Sequence, residues 1–449
     1  MNPFGLSADA KARLVTRFAT RRTAAPVRDA APAAPPLGDQ EAMADLKMVQ
    51  RAGAALGIEN PYFRPHAGIA GATTTIGNGE YDNFVSYNYL GLNGDPRISD
   101  AAKAAIDRYG TSVSASRVVS GERPVHRELE EALAAAYGTE DALVLVSGHA
   151  TNVTVIGHLV TRDDAVFHDS LSHNSIVQGA LLSGARRVPF AHNDLGELDR
   201  LLSQVRPGVK RALVVVEGHY SMDGDVPDLP ALVALVRRHR ASLMVDEAHS
   251  LGVLGARGLG IAERCSVDPA DVDVWMGTLS KTLSSCGGYI CASHAMIEHL
   301  KYSAPGFVYS VGMPPPVAAA ALAALQAMRA EPGRVAQLQD NAAYFMAQAK
   351  AAGLDTGPSI GAAIVPVMTG SSIRAARAAD WLYKRNVNVQ PIIYPAVPER
   401  AARLRFFISS LHTRPQLARV ALLTAEALAA AGSERVSLVD LARQLTAGS

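Results

Sequence analysis

Ser242-Leu-Met-Val-Asp246-Glu-Ala-His249 is a short apolar run that ends in an acid and, three residues later, a histidine. Leu243-Met-Val245 is too brief for a helix and has no polar face, so it reads as a strand buried on both sides. A carboxylate at the end of such a strand is costly unless a cation meets it. Runs of the same kind recur along the chain: Ala142-Leu-Val-Leu-Val146, Ala165-Val-Phe167, Ala212-Leu-Val-Val-Val216, Val272-Asp-Val-Trp275 and Gly288-Tyr-Ile-Cys291. Helix-length segments lie between most of them, such as Pro124 to Tyr137 and Asp228 to Arg240. This alternation predicts an α/β fold with a mostly parallel sheet. In such sheets chemistry gathers beyond the carboxyl ends of the strands.

Beyond Pro314-Pro-Pro316 the pattern changes. Two long helical stretches, Val317 to Ala330 and Pro332 to Ala352, precede strand candidates Ala362–Val367 and Leu404–Ile408 and a last helix from Arg414 to Ala431. The organisation expected is a flexible basic and Ala/Pro-rich arm over 1–40, a lead-in segment over 41–90, a large domain over 91–330 and a small α+β domain over 331–449. The arm carries Lys11, Arg13, Arg17, Arg21 and Arg22 before its Ala/Pro stretch. It reads as a solvated tail, or as a basic contact for an anionic acyl carrier.

Bulk composition narrows the function by exclusion. The 449 residues hold 43 Lys+Arg against 42 Asp+Glu, so no basic field points to nucleic acid. Three cysteines without a pattern favour a reducing, cytoplasmic setting over a disulfide framework. No run reaches the ~18 apolar residues of a membrane span. No metal is expected.

The polar residues that follow the strands carry the chemistry. Ser147-Gly-His-Ala-Thr-Asn152 leaves a strand and opens a helix, where Gly148 lets free N–H groups hold a phosphate. The same residues also read as a plain strand-to-helix turn. His173, in Asp169-Ser-Leu-Ser-His173-Asn-Ser, can lie over a flat ring or serve as a hydrogen-bonded loop histidine. Ser221-Met-Asp-Gly224 offers a hydroxyl, or simply a turn. Asp246 can pair with a protonated ring nitrogen, and His249 can donate to a neighbouring oxygen. The nucleotide-hydrolase reading of Asp-Glu-Ala-His needs a Gly-x-x-x-x-Gly-Lys-Ser/Thr loop, and the chain has none. Lys281 lies in Gly277-Thr-Leu-Ser-Lys281, among small hydroxylated residues with Thr278 three positions before it. Arg403 and Arg405 alternate on a strand and so share a face, where a guanidinium suits a substrate carboxylate or, for at least one of the two, a surface-strand salt bridge. A lysine for an aldehyde, an acid for a ring nitrogen and a phosphate cradle together describe the needs of pyridoxal phosphate (PLP).

In this order, over about residues 60–430, the motifs resemble those of the α-oxoamine synthase family of fold-type-I PLP-dependent transferases. Asn88-Tyr-Leu-Gly-Leu92, Gly110-Thr-Ser-Val-Ser-Ala-Ser-Arg117 and Leu404-Arg-Phe complete the set. Asn60-Pro-Tyr-Phe63 and Trp275 to Gly288 are similar to serine palmitoyltransferases and to synthases of polyketide or fatty-acyl assembly lines. The resemblance implies a mostly parallel seven-stranded sheet in the large domain, a smaller C-terminal α+β domain and a homodimer with interfacial active sites. It makes Lys281 the Schiff-base lysine and α-proton base, pairs Asp246 with the pyridinium and sets His249 and Ser221 at the phenolic oxygen. His173 then stacks on the ring, while Thr278 and the Gly148-His149 backbone hold the phosphate. Arg405 takes the amino-acid carboxylate, and Asn88 lies near it. Ser310 would reach the partner's phosphate, although Val311 and Gly312 replace the small hydroxyl residues common there, and His149 stands where an aromatic is common. The activity implied is a decarboxylative condensation of glycine, alanine or serine with an acyl-CoA or acyl-carrier-protein thioester. Another fold-type-I enzyme, an aminotransferase or lyase, would share Lys281 and Asp246, and a non-catalytic partner subunit would lack the lysine.

Overall fold

Alternate residues of each large-domain strand feed two apolar layers, one on each side of a single sheet. A computed structural model describes residues 57–432 together with Lys47, Gln50, Gly53 and Ala54. The basic arm expected over 1–40 lies outside the described residues.

Ahead of the large sheet, β1 (His66–Ala67), β2 (Thr73–Ile76) and β3 (Gly79–Asn83) pair antiparallel in sequence order. The large sheet then comprises β4 (Asp141–Leu145), β5 (Ala165–Asp169), β6 (Arg186–Phe190), β7 (Ala212–Glu217), β8 (Ser242–Asp246), β9 (Val274–Thr278) and β10 (Gly288–Ala292). Their spatial order is β4-β10-β9-β8-β7-β5-β6, which is the seven-stranded sheet expected. Strands β9, β8, β7, β5 and β6 are parallel, and only β10 runs against its neighbours.

Every residue of β4, β5, β7, β9 and β10 is buried, as helix layers on both faces require. Ala142 and Val144 of β4 join one apolar cluster, while Leu143 and Leu145 join the other. Each fully buried Val or Leu side chain contributes about 1.5–3 kcal/mol. The β9 run begins two residues later than the apolar pattern predicts. Asp273 turns its carboxylate to the Leu243 N–H at 2.7 Å, which fixes the entry to the strand. Helices start where side chains cap them: Asp228 accepts the Ala231 N–H before Leu229–Arg238. Pro315 and Pro316 occupy the first turn of Pro315–Ala330, where their missing N–H groups cost nothing.

The C-terminal part forms an antiparallel sheet from β11 (Ile364–Met368), β13 (Gln390–Ile392) and β14 (Arg403–Phe407), with β14 central. The two-residue β12 (Val387–Asn388) instead pairs in parallel with β3, Val387 opposite Asp82. Phe407 also donates its N–H to the Phe84 carbonyl at 2.9 Å. The lead-in segment is thus built into the C-terminal sheets, and β14 is drawn up against the mouth of the large sheet.

Candidate active site

The ends of five strands of the large sheet, or the loops that leave them, and one strand of the small sheet surround a cavity of about 410 Å³. Strand β4 runs into Ser147, whose hydroxyl accepts the Ala150 N–H at 3.4 Å and caps the helix Gly148–Leu159. Across from that turn stands Thr278, at the end of β9, hydrogen-bonded to the Gly287 carbonyl at 3.0 Å. A Cβ on Gly148 would fall 2.7 Å from the Thr278 hydroxyl, so only glycine permits this approach. The Thr278 hydroxyl also lies 2.7 Å from that of Ser280. Free helix N–H groups and two hydroxyls therefore meet at one place, and His149 lines the same cavity.

Lys281 reaches into the cavity without a hydrogen bond or ion pair among the described residues. Its Nζ lies 5.6 Å from the centre of the Tyr87 ring. Desolvation lowers its pKa to about 8, against the opposing pull of Asp246 and Glu217. An amine near neutrality is what attack on an aldehyde and later proton abstraction both require.

Asp246 ends β8 directly beside Glu217, the last residue of β7, in register. Its oxygens accept the Asn152 side-chain N–H at 2.8 Å and the Ala248 backbone N–H at 2.9 Å. No cation pairs with it among the described residues. Glu217 accepts the His173 backbone N–H at 2.7 Å. Burial, then the charge of Asp246, pushes the Glu217 carboxyl up to about 8.

His173 caps the helix Asn174–Ser183, its Nδ1 2.7 Å from the Ser175 hydroxyl. Burial lowers its pKa, Asp246 opposes that, and Lys281 and His149 reinforce it. The rings of His149 and His173 meet edge to face at 6.2 Å. His249 shares a 2.7 Å hydrogen bond through Nδ1 with the Tyr89 hydroxyl, which leaves Nε2 for the cavity. Burial and the nearby Lys281 hold it neutral, far below its ordinary pKa.

The two arginines of β14 point to the same loop and diverge there. Arg403 is buried in an ion pair with Asp223 and donates to the Met222 carbonyl at 3.0 Å. Arg405 lines the cavity, donates to the Ser221 carbonyl at 3.0 Å and has no ion pair among the described residues. Its buried Nε has no hydrogen-bond partner among the described residues. Ser221 lines the cavity beside it.

Two expected residues stand apart. The Asn88 side chain donates to the carbonyls of Ala70 and Asn93 and accepts the Asn93 N–H, so it braces its own loop. It lines an adjacent cavity that also touches Lys281. Ser310 lies outside the Lys281 cavity of its own chain, beside Arg117 and Gly312.

Neither Glu217 nor Asn152 has a role assigned from the sequence alone. Glu217 had a signal of the same kind as Asp246, an acid closing a buried run. Asn152 sits one helical turn from Gly148 and bridges Asp246 to Ser175, a contact that only the folded chain reveals.

The cavity suits an aldehyde cofactor with a ring nitrogen and a phosphate. It holds an unpaired lysine of lowered pKa, a carboxylate lacking its cation and a glycine-lined turn rich in donors. Comparison with known proteins agrees. Residues 81–422 match the model of the aminotransferase class I and II family. The 8-amino-7-oxononanoate synthase of Geobacter sulfurreducens is 44% identical over 358 residues, covering 79% of this chain and 91% of that protein. The serine palmitoyltransferase of Sphingomonas wittichii superposes with a TM-score of 0.83 at 30% identity, covering 87% of this chain and 98% of that one. A serine palmitoyltransferase solved with PLP as its internal aldimine superposes with a TM-score of 0.83 at 29% identity, covering 88% and 100%.

Proposed function

We infer that this chain, which belongs to the aminotransferase class I and II family, is a PLP-dependent α-oxoamine synthase that condenses an amino acid with an acyl thioester. The observation that carries the reading is Lys281, unpaired and of lowered pKa, in one cavity with Asp246, His249, His173 and Arg405. When bound, the cofactor supplies an aldehyde for the lysine and a ring that accepts electrons.

The protein's side chains divide the remaining work. Lys281 anchors the cofactor and takes the α-proton of the substrate at Nζ. Asp246 supplies the negative charge that a protonated ring nitrogen needs, and Asn152 keeps that carboxylate aimed. His249 and Ser221 serve the phenolic oxygen. Thr278 and the Gly148-His149 backbone hold the phosphate. Arg405 takes the amino-acid carboxylate, with Asn88 in the neighbouring wall. His173 covers the ring and stands ready to donate toward the thioester carbonyl. Holding the substrate between Arg405 and His173 aligns the bonds that break, and such positioning contributes several kcal/mol, up to about 7–11 in favourable cases.

The amino acid is small, namely glycine, alanine or serine, and the products are an α-amino ketone, CO2 and a free thiol. The acyl donor is an acyl-CoA or an acyl-carrier protein. Mixing the three amino acids with each donor class, and following CO2, thiol and product mass, tests this. A keto acid from the amino acid, without CO2 or thiol release, would make the protein an aminotransferase instead.

The working unit is a homodimer in the cytoplasm. Exposed Val119, Tyr302, Tyr309 and Val311 supply apolar surface for a partner, and Ser310 lies among them. Among the described residues no helix is long and apolar enough to cross a membrane. A fully active monomer in light scattering would overturn the dimer.

A further inference from the structure

Two of the cavity's polar side chains, His173 and Ser221, stand on the loops 169–173 after β5 and 220–225 after β7. Behind both sits His192, just past the edge strand β6. Its Nδ1 is 2.9 Å from an oxygen of Asp169 and its Nε2 is 2.8 Å from an oxygen of Asp225. Asp169 opens the loop that ends at His173 and also accepts the Leu171 N–H at 2.8 Å. Asp225 closes the other loop, its carbonyl accepting the Tyr220 N–H at 3.0 Å. Asn193 doubles the connection. Its backbone N–H reaches Asp169 at 2.9 Å and its side-chain amide reaches Asp225 at 2.8 Å.

The His192 ring also stands edge-on to Tyr220, with centroids 4.5 Å apart at 90°. With a carboxylate on each nitrogen, the imidazole is doubly protonated. Burial opposes that charge, but the two acids raise its pKa to about 10. On its far side, the 220–225 loop meets β14: Ser221 accepts from Arg405 and Asp223 pairs with Arg403.

From these contacts we propose that His192 is a positioning residue, an imidazolium that ties the loop bearing His173 to the loop bearing Ser221 and so holds the two halves of the substrate site in register. The proposal rests on the roles given above to His173, Ser221 and Arg405. No neutral histidine can do this, because it carries one N–H for two carboxylates.

The test compares His192→Gln and Asp225→Asn, singly and together, with the parent holoenzyme. Cofactor absorbance and melting temperature establish that each variant is folded and loaded. Each single variant is expected to lose about 10- to 100-fold in kcat/KM for the amino acid through both a weaker amino-acid-induced spectral change and a lower kcat. Because both changes break one link, the double variant should be no worse than the weaker single one. A lowered melting temperature with parental kinetics, or losses that multiply in the double variant, would overturn the proposal. If His192→Gln does not load cofactor, Asp225→Asn decides by the same criteria. Arg405→Ala in the parent keeps the two readings distinct. Unchanged amino-acid affinity there refutes the substrate-site assignment itself. Lost affinity there, with parental behaviour of His192→Gln, refutes only the role of His192.

Discussion

Two regions of the protein bury several ionisable groups, and they are built on opposite rules. Around Arg117 every charge is met. Its guanidinium donates to Glu122 at 2.6 and 2.7 Å and to Glu130 at 2.5 Å. Glu130 also accepts the Val144 N–H at 3.0 Å and has Lys301 at 3.7 Å. In the cavity Lys281, Asp246 and Arg405 share space without an ion pair among the described residues. The first arrangement braces the helix Pro124–Tyr137 against β4. The second leaves buried charge uncompensated, which is tolerated where a ligand will complete it. Between these two regions, missing ion-pair partners mark the cavity better than charge itself does.

The contrast can be broken at either end. Lys281→Ala is expected to cost roughly 10⁴-fold or more in activity and to abolish the borohydride-reducible cofactor bond. The cofactor-free protein should be no less stable for the change. A reducible bond that persists in the variant assigns the lysine wrongly. Arg117→Ala should do the reverse. It strands Glu130 in the interior and should destabilise by about 3–5 kcal/mol in urea unfolding, and a loss below about 1 kcal/mol would contradict the rule drawn here.

Arg405→Ala should weaken amino-acid binding by about 2–5 kcal/mol in a spectral titration while PLP stays bound. Arg403→Ala should act on stability instead, because it leaves Asp223 unpaired. Equal effects of both on amino-acid affinity would erase the distinction between them.

The smallest effect expected is on pH dependence. The folded pKa of Glu217, about 8, lies above its ordinary 4.5, so its contribution to stability is complete below 4.5 and is lost as pH rises toward 8. Lys281 has the opposite sign. Its folded value of about 8 lies below 10.5, so its burial penalty is full below 8 and eases as pH rises. In cofactor-free protein, Glu217→Gln should flatten the fall in melting temperature between pH 4.5 and 8. Superimposable pH curves for parent and variant would show that Glu217 ionises normally.

The strands were legible because both faces of each are buried, which leaves continuous apolar runs. Edge strand β6 was not, since Arg186, Arg187 and Pro189 break its pattern, and an edge tolerates all three. Asp246 was legible from its position at the end of a buried run, and Lys281 from its small and hydroxylated neighbours Gly277, Thr278 and Ser280. Arg403 and Arg405 were not separable by pattern, because period two puts both on one face and only the placement of Asp223 tells them apart. The link of β3 to β12 rests on two residues, too few for any periodicity. His192 escaped notice because its partners lie in two other loops.

The strand order also imposes a sequence in time. Among the described residues, strand β4 has no neighbour in the sheet except β10. A ribosome releases Gly148 long before Thr278, and both before Gly288, whose Cα packs so closely that a Cβ there would come within 2.7 Å of Gly148 Cα. Arg405 emerges later still. The growing chain therefore carries β4 as an unpaired edge for most of the synthesis of the large domain, a hazard for association with other nascent chains. Cofactor capture can only follow that interval, as one of the last events of biogenesis.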